Sequence, residues 1–335
     1  MATVGTTAMT FTDLRKRMAP DNKIDWIMEI MAQSNPIMQH IPWKEGNLPT
    51  GNQTTLRTSY PHPQLRRINR GVKPGKSTTR QIVDTCCIME AYSMVDRRLA
   101  QLAPSPEAFR SSEDSAFVEG FTQDLAKYMF YGDTDANPDQ FNGFGVRYDT
   151  FAGEKGTFGY QTINAGGTTE NKQTSIYIVD WGDNAVTGIY PKGSKAGLQM
   201  EDKGEQIVDD AEGGKYPALM TWFAWDAGLA VQNLRKVAAL RNVEWSKAVT
   251  AQTATERKAI VDKFIVAKNR IANPKRPIAY VADDIYTMLE LHLNDKNNVY
   301  VTRQELMNEM PKIYISGIEI SKCDALKTTE AVIAE

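Results

Sequence analysis

Hydrophobic positions recur along this chain with two periods, and the period changes several times. Over residues 106–131, Phe117, Phe121, Leu125, Tyr128 and Met129 form one stripe at a 3.6-residue repeat, which predicts a long amphipathic helix. Pro106 suits its first turn, and Gly132 stops it. At about 1.5 Å per residue such a helix is roughly 39 Å long, the length of a spine. Upstream, residues 11–33 read as two short helices with Thr12 and Asp21 as their caps. In the second, Ile24, Ile27, Met28 and Met31 fall at i, i+3, i+4 and i+7. That stripe must dock on the body of this chain or on a neighbour.

Elsewhere the pattern alternates. Residues 174–181 place Ile176 and Ile178 on one face and Tyr177 and Val179 on the other. With Gly182-Asp183-Asn184 as a turn and residues 186–190 as the return, they predict a β-hairpin. The preceding 132–173 is rich in Gly, Asn and Thr and reads mainly as loop. Residues 219–243 hold further strands, with Trp222, Phe223 and Trp225 close together. A helix is expected over 256–272, a buried strand over 277–282, and a helix over 283–293 with Ile285, Met288, Leu289 and Leu293 inward. A short strand at 299–301 precedes Thr302-x-x-Glu305, a capping box for another helix, and 312–323 finishes as strand. This alternation of strands and helices predicts a mixed α+β layer domain. There is no repeat of solenoid period.

One segment fits neither pattern. Residues 46–83 contain no Asp or Glu but seven bases: Arg57, Arg66, Arg67, Arg70, Lys73, Lys76 and Arg80. Eight glycines and prolines punctuate it. Residues 54–58 read as a Thr-rich strand and 65–70 as a second short strand near a turn. With so few apolar residues the segment cannot pack a core, so it predicts a two-stranded arm projecting from the body. An isolated hairpin is marginal in water, so the arm should lie on another surface. Charge of the opposite sign collects at 201–212, where Glu201, Asp202, Glu205, Asp209, Asp210 and Glu212 face one base, Lys203. Pairing the two segments between copies would supply complementarity and register. A basic arm could also meet nucleic acid through phosphate contacts without reading sequence.

Composition narrows the classes. The chain has 335 residues, which suggests about two domains at roughly 150 residues each. Lys and Arg total 39 against 41 for Asp and Glu, a net charge of −2. A protein that coats DNA with its whole surface is excluded, because such binding needs a positive excess. Apolar residues make up 41%, slightly lean, which suggests half-exposed segments completed by neighbours. There is no apolar run long enough for a membrane helix, and residues 1–10 are too polar for a signal peptide. The expected site of synthesis is therefore the cytosol of the producing cell. Cys86, Cys87 and Cys323 form neither a C-x-x-C pair nor a disulfide framework and read as small buried hydrophobes.

Candidate chemistry is sparse. Gly71-Val-Lys-Pro-Gly75-Lys76-Ser77 resembles a phosphate loop, but three residues separate its glycines where four are needed. Its plainer reading is a basic turn in the arm. Asp133-x-Asp135-x-Asn137 resembles the start of a calcium loop, yet Pro138 and Phe144 stand where Gly and a bidentate Glu belong. His40, His62 and His292 share no metal-binding spacing, and no Gly-x-Ser-x-Gly elbow occurs. Neither a cofactor nor a metal nor an enzymatic activity is expected, which favours a structural or interaction role.

The parts in order are a helical arm, a basic β-arm, a spine helix, a mixed α+β region and a closing strand. With them come particular motifs: Pro42-Trp43-x-Glu45-Gly46-Asn47-Leu-Pro-Thr50-Gly51, Gly71-Val-x-Pro74-x-Lys76-Ser77-Thr78-Thr79, Phe130-Tyr131-Gly132, Trp181-Gly182 and Gly188-Ile-Tyr-Pro-Lys-Gly-Ser-Lys-Ala-Gly-Leu198. In these the chain resembles major capsid proteins of tailed bacteriophages with the HK97-like fold, close to the short-tailed epsilon-fifteen type. The resemblance implies an N-arm over 1–45, an extended E-loop over 46–85, and a P-domain over 86–145 that includes the spine helix. It implies an A-domain over most of 146–317, with 218–262 open to either domain, and a return to the P-domain over 318–335. It further implies hexamers and pentamers of an icosahedral shell around double-stranded DNA. A scaffolding protein, a portal protein, a decoration or staple protein and non-specifically held DNA are the implied partners. There is no membrane partner. The implied setting is the virion, assembled in the host bacterial cytoplasm. The seven bases above would make E-loop contacts, the six acids would be their partners, and Ile24, Ile27, Met28 and Met31 would dock the N-arm. No residues match the Lys–Asn cross-linking of the fold's founding member. An encapsulin-type nanocompartment shell is the alternative within the same fold.

Overall fold

The structure, a computed structural model, describes residues 9–10, 13–14, 33–210, 213–246, 254–293, 301–304 and 312–334. The Ile24, Ile27, Met28 and Met31 stripe, Thr12, Asp21, Glu212 and Glu305 lie outside them. The strands in chain order begin with β1 (Trp43–Glu45), β2 (Gly51–Ser59), β3 (Thr78–Asp96), β4 (Thr162–Asn164) and β5 (Gln173–Asp180). They continue with β6 (Val186–Tyr190), β7 (Gln199–Asp209), β8 (Lys215–Val231) and β9 (Val237–Glu244). The last four are β10 (Pro277–Val281), β11 (Val301–Gln304), β12 (Lys312–Ile315) and β13 (Ile318–Lys322). The longer helices are α1 (Arg97–Leu102), α2 (Pro106–Tyr131), α3 (Ala254–Arg270) and α4 (Asp283–Leu293).

Two sheets carry the molecule. A six-stranded sheet runs β1-β6-β8-β3-β2 with β7 also on β8, and a seven-stranded sheet runs β11-β12-β13-β10-β5-β9-β4. Helix α2 has the bounds its periodicity predicts. Ser105 Oγ accepts from the Ala108 N–H at 3.3 Å and Pro106 opens the first turn. Gly132 ends it with an extended backbone rather than a left-handed one. A Cβ there would come 2.2 Å from the Phe141 carbonyl oxygen, so close approach is what demands glycine. Leu125, Met129 and Phe130 of α2 pack with Phe144, Tyr177, Val179 and Tyr280 in one core. The other face of the seven-stranded sheet packs Ile176, Ile178 and Leu240 against Val261 and Phe264 of α3 and Met288 of α4. The result is a three-layer arrangement in which the central strands are covered on both sides.

The strand pairings correct the hairpin expected over 174–190. The turn forms, with the Gly182 N–H bonded to the Val186 carbonyl at 3.2 Å and Asn184 at φ 58°. The strands then part. β5 is buried along its whole length and has both edges taken by β9 and β10, while β6 joins β1 and β8. A strand with two occupied edges has none left for its sequence neighbour. Three smaller expectations also change. Residues 65–70 form no strand: Asn69 sits at φ 62°, the Arg70 N–H closes a turn on Arg67, and no neighbouring strand supplies a ladder. Residues 312–323 form two strands, because Ser316 and Gly317 both adopt positive φ and turn β12 back as β13. Thr302 does not cap a helix but pairs with Tyr314 inside β11.

The chain's last segment ties the layers together. The Glu330 carboxylate, almost buried, accepts hydrogen bonds from Tyr131 Oη of α2 at 2.5 Å and from Ser175 Oγ of β5, with Arg241 of β9 3.7 Å away. The Asn242 side chain bonds both the N–H and the carbonyl of Ile333. One carboxylate thus joins three elements far apart in sequence.

Candidate functional site

β2 and β3 pair antiparallel from Gly51↔Thr85 to Ser59↔Thr78 and project as a ribbon. Its side chains are mostly Thr and polar, so cross-strand hydroxyls hold its far end. Thr78 Oγ1 lies 2.7 Å from both Thr58 Oγ1 and Ser59 Oγ. Residues 60–77 beyond are exposed and irregular. Leu65 and Ile68 are almost wholly in solvent. Arg57, Arg66, Arg67, Arg70, Lys73, Lys76 and Arg80 all lie exposed on this ribbon or its tip. None makes an ion pair among the described residues. Gly71–Ser77 is part of the tip and leads into a strand, so it is not the start of a phosphate-binding helix.

The root of the ribbon is built differently. Asp84 of β3 is buried and meets Arg147 at 2.8 Å. Arg147 also donates to the carbonyls of Asn142 and Leu229. Across the ladder Gly51 lets the backbones close in, since a Cβ there would lie 2.0 Å from the Asp84 carbonyl oxygen. Sequence reading missed this pair, because no local signal links residues in different elements.

The acids form a second ribbon, β7 with the first half of β8. The described ones are engaged within the chain. Asp202 accepts a bidentate pair from Arg110 of α2 at 2.8 and 3.1 Å. That guanidinium, helped by the Gly204 N–H, holds the Asp202 carboxyl below its usual range. Glu205 meets Arg97 at 2.9 Å, while Glu201 meets Lys203 and Asp209 meets Lys215, each at 2.5 Å. Asp210 accepts from the Gly214 N–H across the turn at 2.7 Å.

Between α2 and β3 runs a groove of about 590 Å³. Met89, Phe117, Phe121 and Tyr128 line it together with Asp124 and Asp139. No chemistry converges there. Burial pushes the Cys86, Cys87 and Cys323 thiols up to about 12, 11 and 12, so they stay protonated. His40 lies against Tyr280 Oη at 3.0 Å and burial lowers its pKa. Asp133, Asp135 and Asn137 close an ordinary turn, the Asp135 N–H bonding Asp133 Oδ1 at 2.8 Å. Among the described residues no cluster could hold a metal ion and no helix is long and apolar enough to cross a membrane.

Comparison with known proteins shows the family and the fold. The family model for "Major capsid protein GP7" matches residues 19–334. A solved chain of bacteriophage epsilon15 is 26% identical, with a TM-score of 0.75 over 100% of both chains. A chain of the bacteriophage JBD30 capsid is 11% identical over 90% of this chain and 95% of its own, with a TM-score of 0.47. No curated protein sequence matches. The architecture is the HK97-type capsid fold. The ribbons and groove are therefore surfaces of a shell subunit, a virion component that assembles with copies of itself rather than an enzyme. The chain belongs to the GP7 family, the major capsid proteins of tailed bacteriophages.

Proposed function

We propose that copies of this chain form the hexamers and pentamers of an icosahedral shell around double-stranded DNA, and that the basic ribbon is the arm by which one copy holds the next. The observation that supports this reading is the ribbon itself: seven cations without an acid, none in an ion pair among the described residues, on a hairpin with almost no core. Such a hairpin is held by contact with another surface. In this reading residues 1–45 tie neighbouring capsomers and 46–85 are the E-loop. The P-domain takes 86–145 and 318–335, and the A-domain takes most of 146–317 around the capsomer centres. The six-stranded sheet draws 186–231 toward the arm and spine helix, which supports counting part of that stretch with the P-domain. A separate scaffolding protein guides assembly in the host bacterial cytoplasm, with a portal protein and a decoration or staple protein as further partners. Uniform native-size shells from this chain expressed alone would remove the scaffold from this account.

Reversing Arg66, Arg67 and Arg70 to Glu is expected to stop shell assembly while leaving the monomer's unfolding midpoint unchanged. Sedimentation and electron microscopy read the first, urea unfolding the second. Wild-type-like particles from the triple variant would remove the arm contact.

A further inference from the structure

Resting on that arm reading, we infer that the arm tip becomes a β-strand on a second copy, adding to the open edge of β3 beside the α2 groove. From Cys86 to Asp96, β3 pairs with β8 on one edge. Its pairing with β2 lies at Thr78–Thr85. Among the described residues no strand occupies the other edge of this stretch. An exposed edge with unpaired N–H and C=O groups is a template for another strand.

The side chains on the two sides of this edge match the tip. Successive strand residues point to opposite faces. Toward α2 the edge offers Met89, and the groove beyond it Phe117 and the Asp124 carboxylate. On the outer face it offers Ile88 and Tyr92, 71% and 51% exposed, with Glu90 between them. Each face thus presents an apolar surface and a carboxylate that makes no ion pair among the described residues. In the tip, Leu65 and Arg67 share one side of an extended chain, and Arg66 and Ile68 share the other. Each side offers one apolar knob and one guanidinium. Residues 65–70 read from sequence as a short strand that the single chain does not form, because no neighbouring strand supplies a ladder. A second copy's β3 edge supplies it. The acidic ribbon is the poorer socket, since its described carboxylates are already engaged by Arg97, Arg110, Lys203, Lys215 and the Gly214 N–H.

The test is a charge swap in the full-length chain, with shell yield measured by sedimentation. Arg67→Glu alone and Asp124→Arg alone are each expected to lower the yield at least tenfold. The double variant, in which every copy carries both a reversed tip and a reversed groove, is expected to return to within threefold of wild type. Hydrogen exchange on wild-type shells gives a second reading. Backbone amides in 87–92 and 65–68 should exchange at least tenfold more slowly in shells than in unassembled chain. Single variants that block assembly without rescue in the double, or unprotected amides in both segments, would overturn the socket and leave the arm contact standing. Normal shells from the Arg67→Glu chain would overturn the socket, and from the triple arginine variant above, the arm reading as well.

Discussion

The molecule carries two exposed ribbons of opposite charge, and they differ in where their charges go. In the β7–β8 ribbon the described acids are matched inside the chain, one of them by a bidentate arginine from the spine helix. In the β2–β3 ribbon none of the seven bases has an ion-pair partner among the described residues, and the only ion pair lies at the root, out of solvent. One ribbon thus has its charges matched on folding, and the other keeps its charges free of ion pairs among the described residues, as the proposed arm contact requires. Charge counted along a sequence does not separate the two cases, because the cation that completes an acid can be a near neighbour, as Lys203 is to Glu201, or far along the chain, as Arg97 is to Glu205.

The largest effect on stability should come from the root of the basic ribbon. Arg147→Met leaves the Asp84 carboxylate buried without its counter-charge, at a cost of about 3–5 kcal/mol, read as a lower urea midpoint. If the midpoint holds, the root is not a clamp. The next effect is in the acidic ribbon. Arg110→Ala removes a bidentate pair whose carboxylate is more than half exposed, so the loss is about 1 kcal/mol. Because folding lowers the Asp202 pKa, this contribution is present above the unfolded carboxyl value of about 3.9. It fades as pH falls through the folded value. A stability profile of Arg110→Ala should therefore converge on wild type in acid and diverge toward neutral pH. Smallest is Lys215→Ala at the ribbon's end, where both partners are about two-thirds exposed. A change above about 0.5 kcal/mol there would show that even exposed pairs fix this ribbon's shape.

Helices were the legible part of the fold. Ser105, Pro106 and the apolar stripe of α2 are all local, and local signals set a helix's ends. Pairings were less so. The turn at Gly182–Asn184 carries every sign of a hairpin, yet the edges of β5 are filled by β9 and β10 from far along the chain. The arm was legible because the absence of acids and apolar residues is itself a sequence property. Its tip reads as a strand but forms none in the single chain, because a strand needs an edge and among the described residues no strand lies beside it. The Asp84–Arg147 pair and the Glu330 cluster left no mark in the sequence, since each joins residues that only folding brings together.

The arm is also a lever. Nine residues of β2 at about 3.3 Å each put its tip roughly 30 Å from the root. A sideways load on the tip, from a neighbour shifting in the shell, reaches the root as a torque. It must be balanced there over a few ångströms, so the local forces are several-fold larger. Asp84, held by Arg147 and backed by the tight Gly51 contact, stands where that torque falls. The strength of a shell made this way depends as much on the fulcrum inside each subunit as on the grip between subunits.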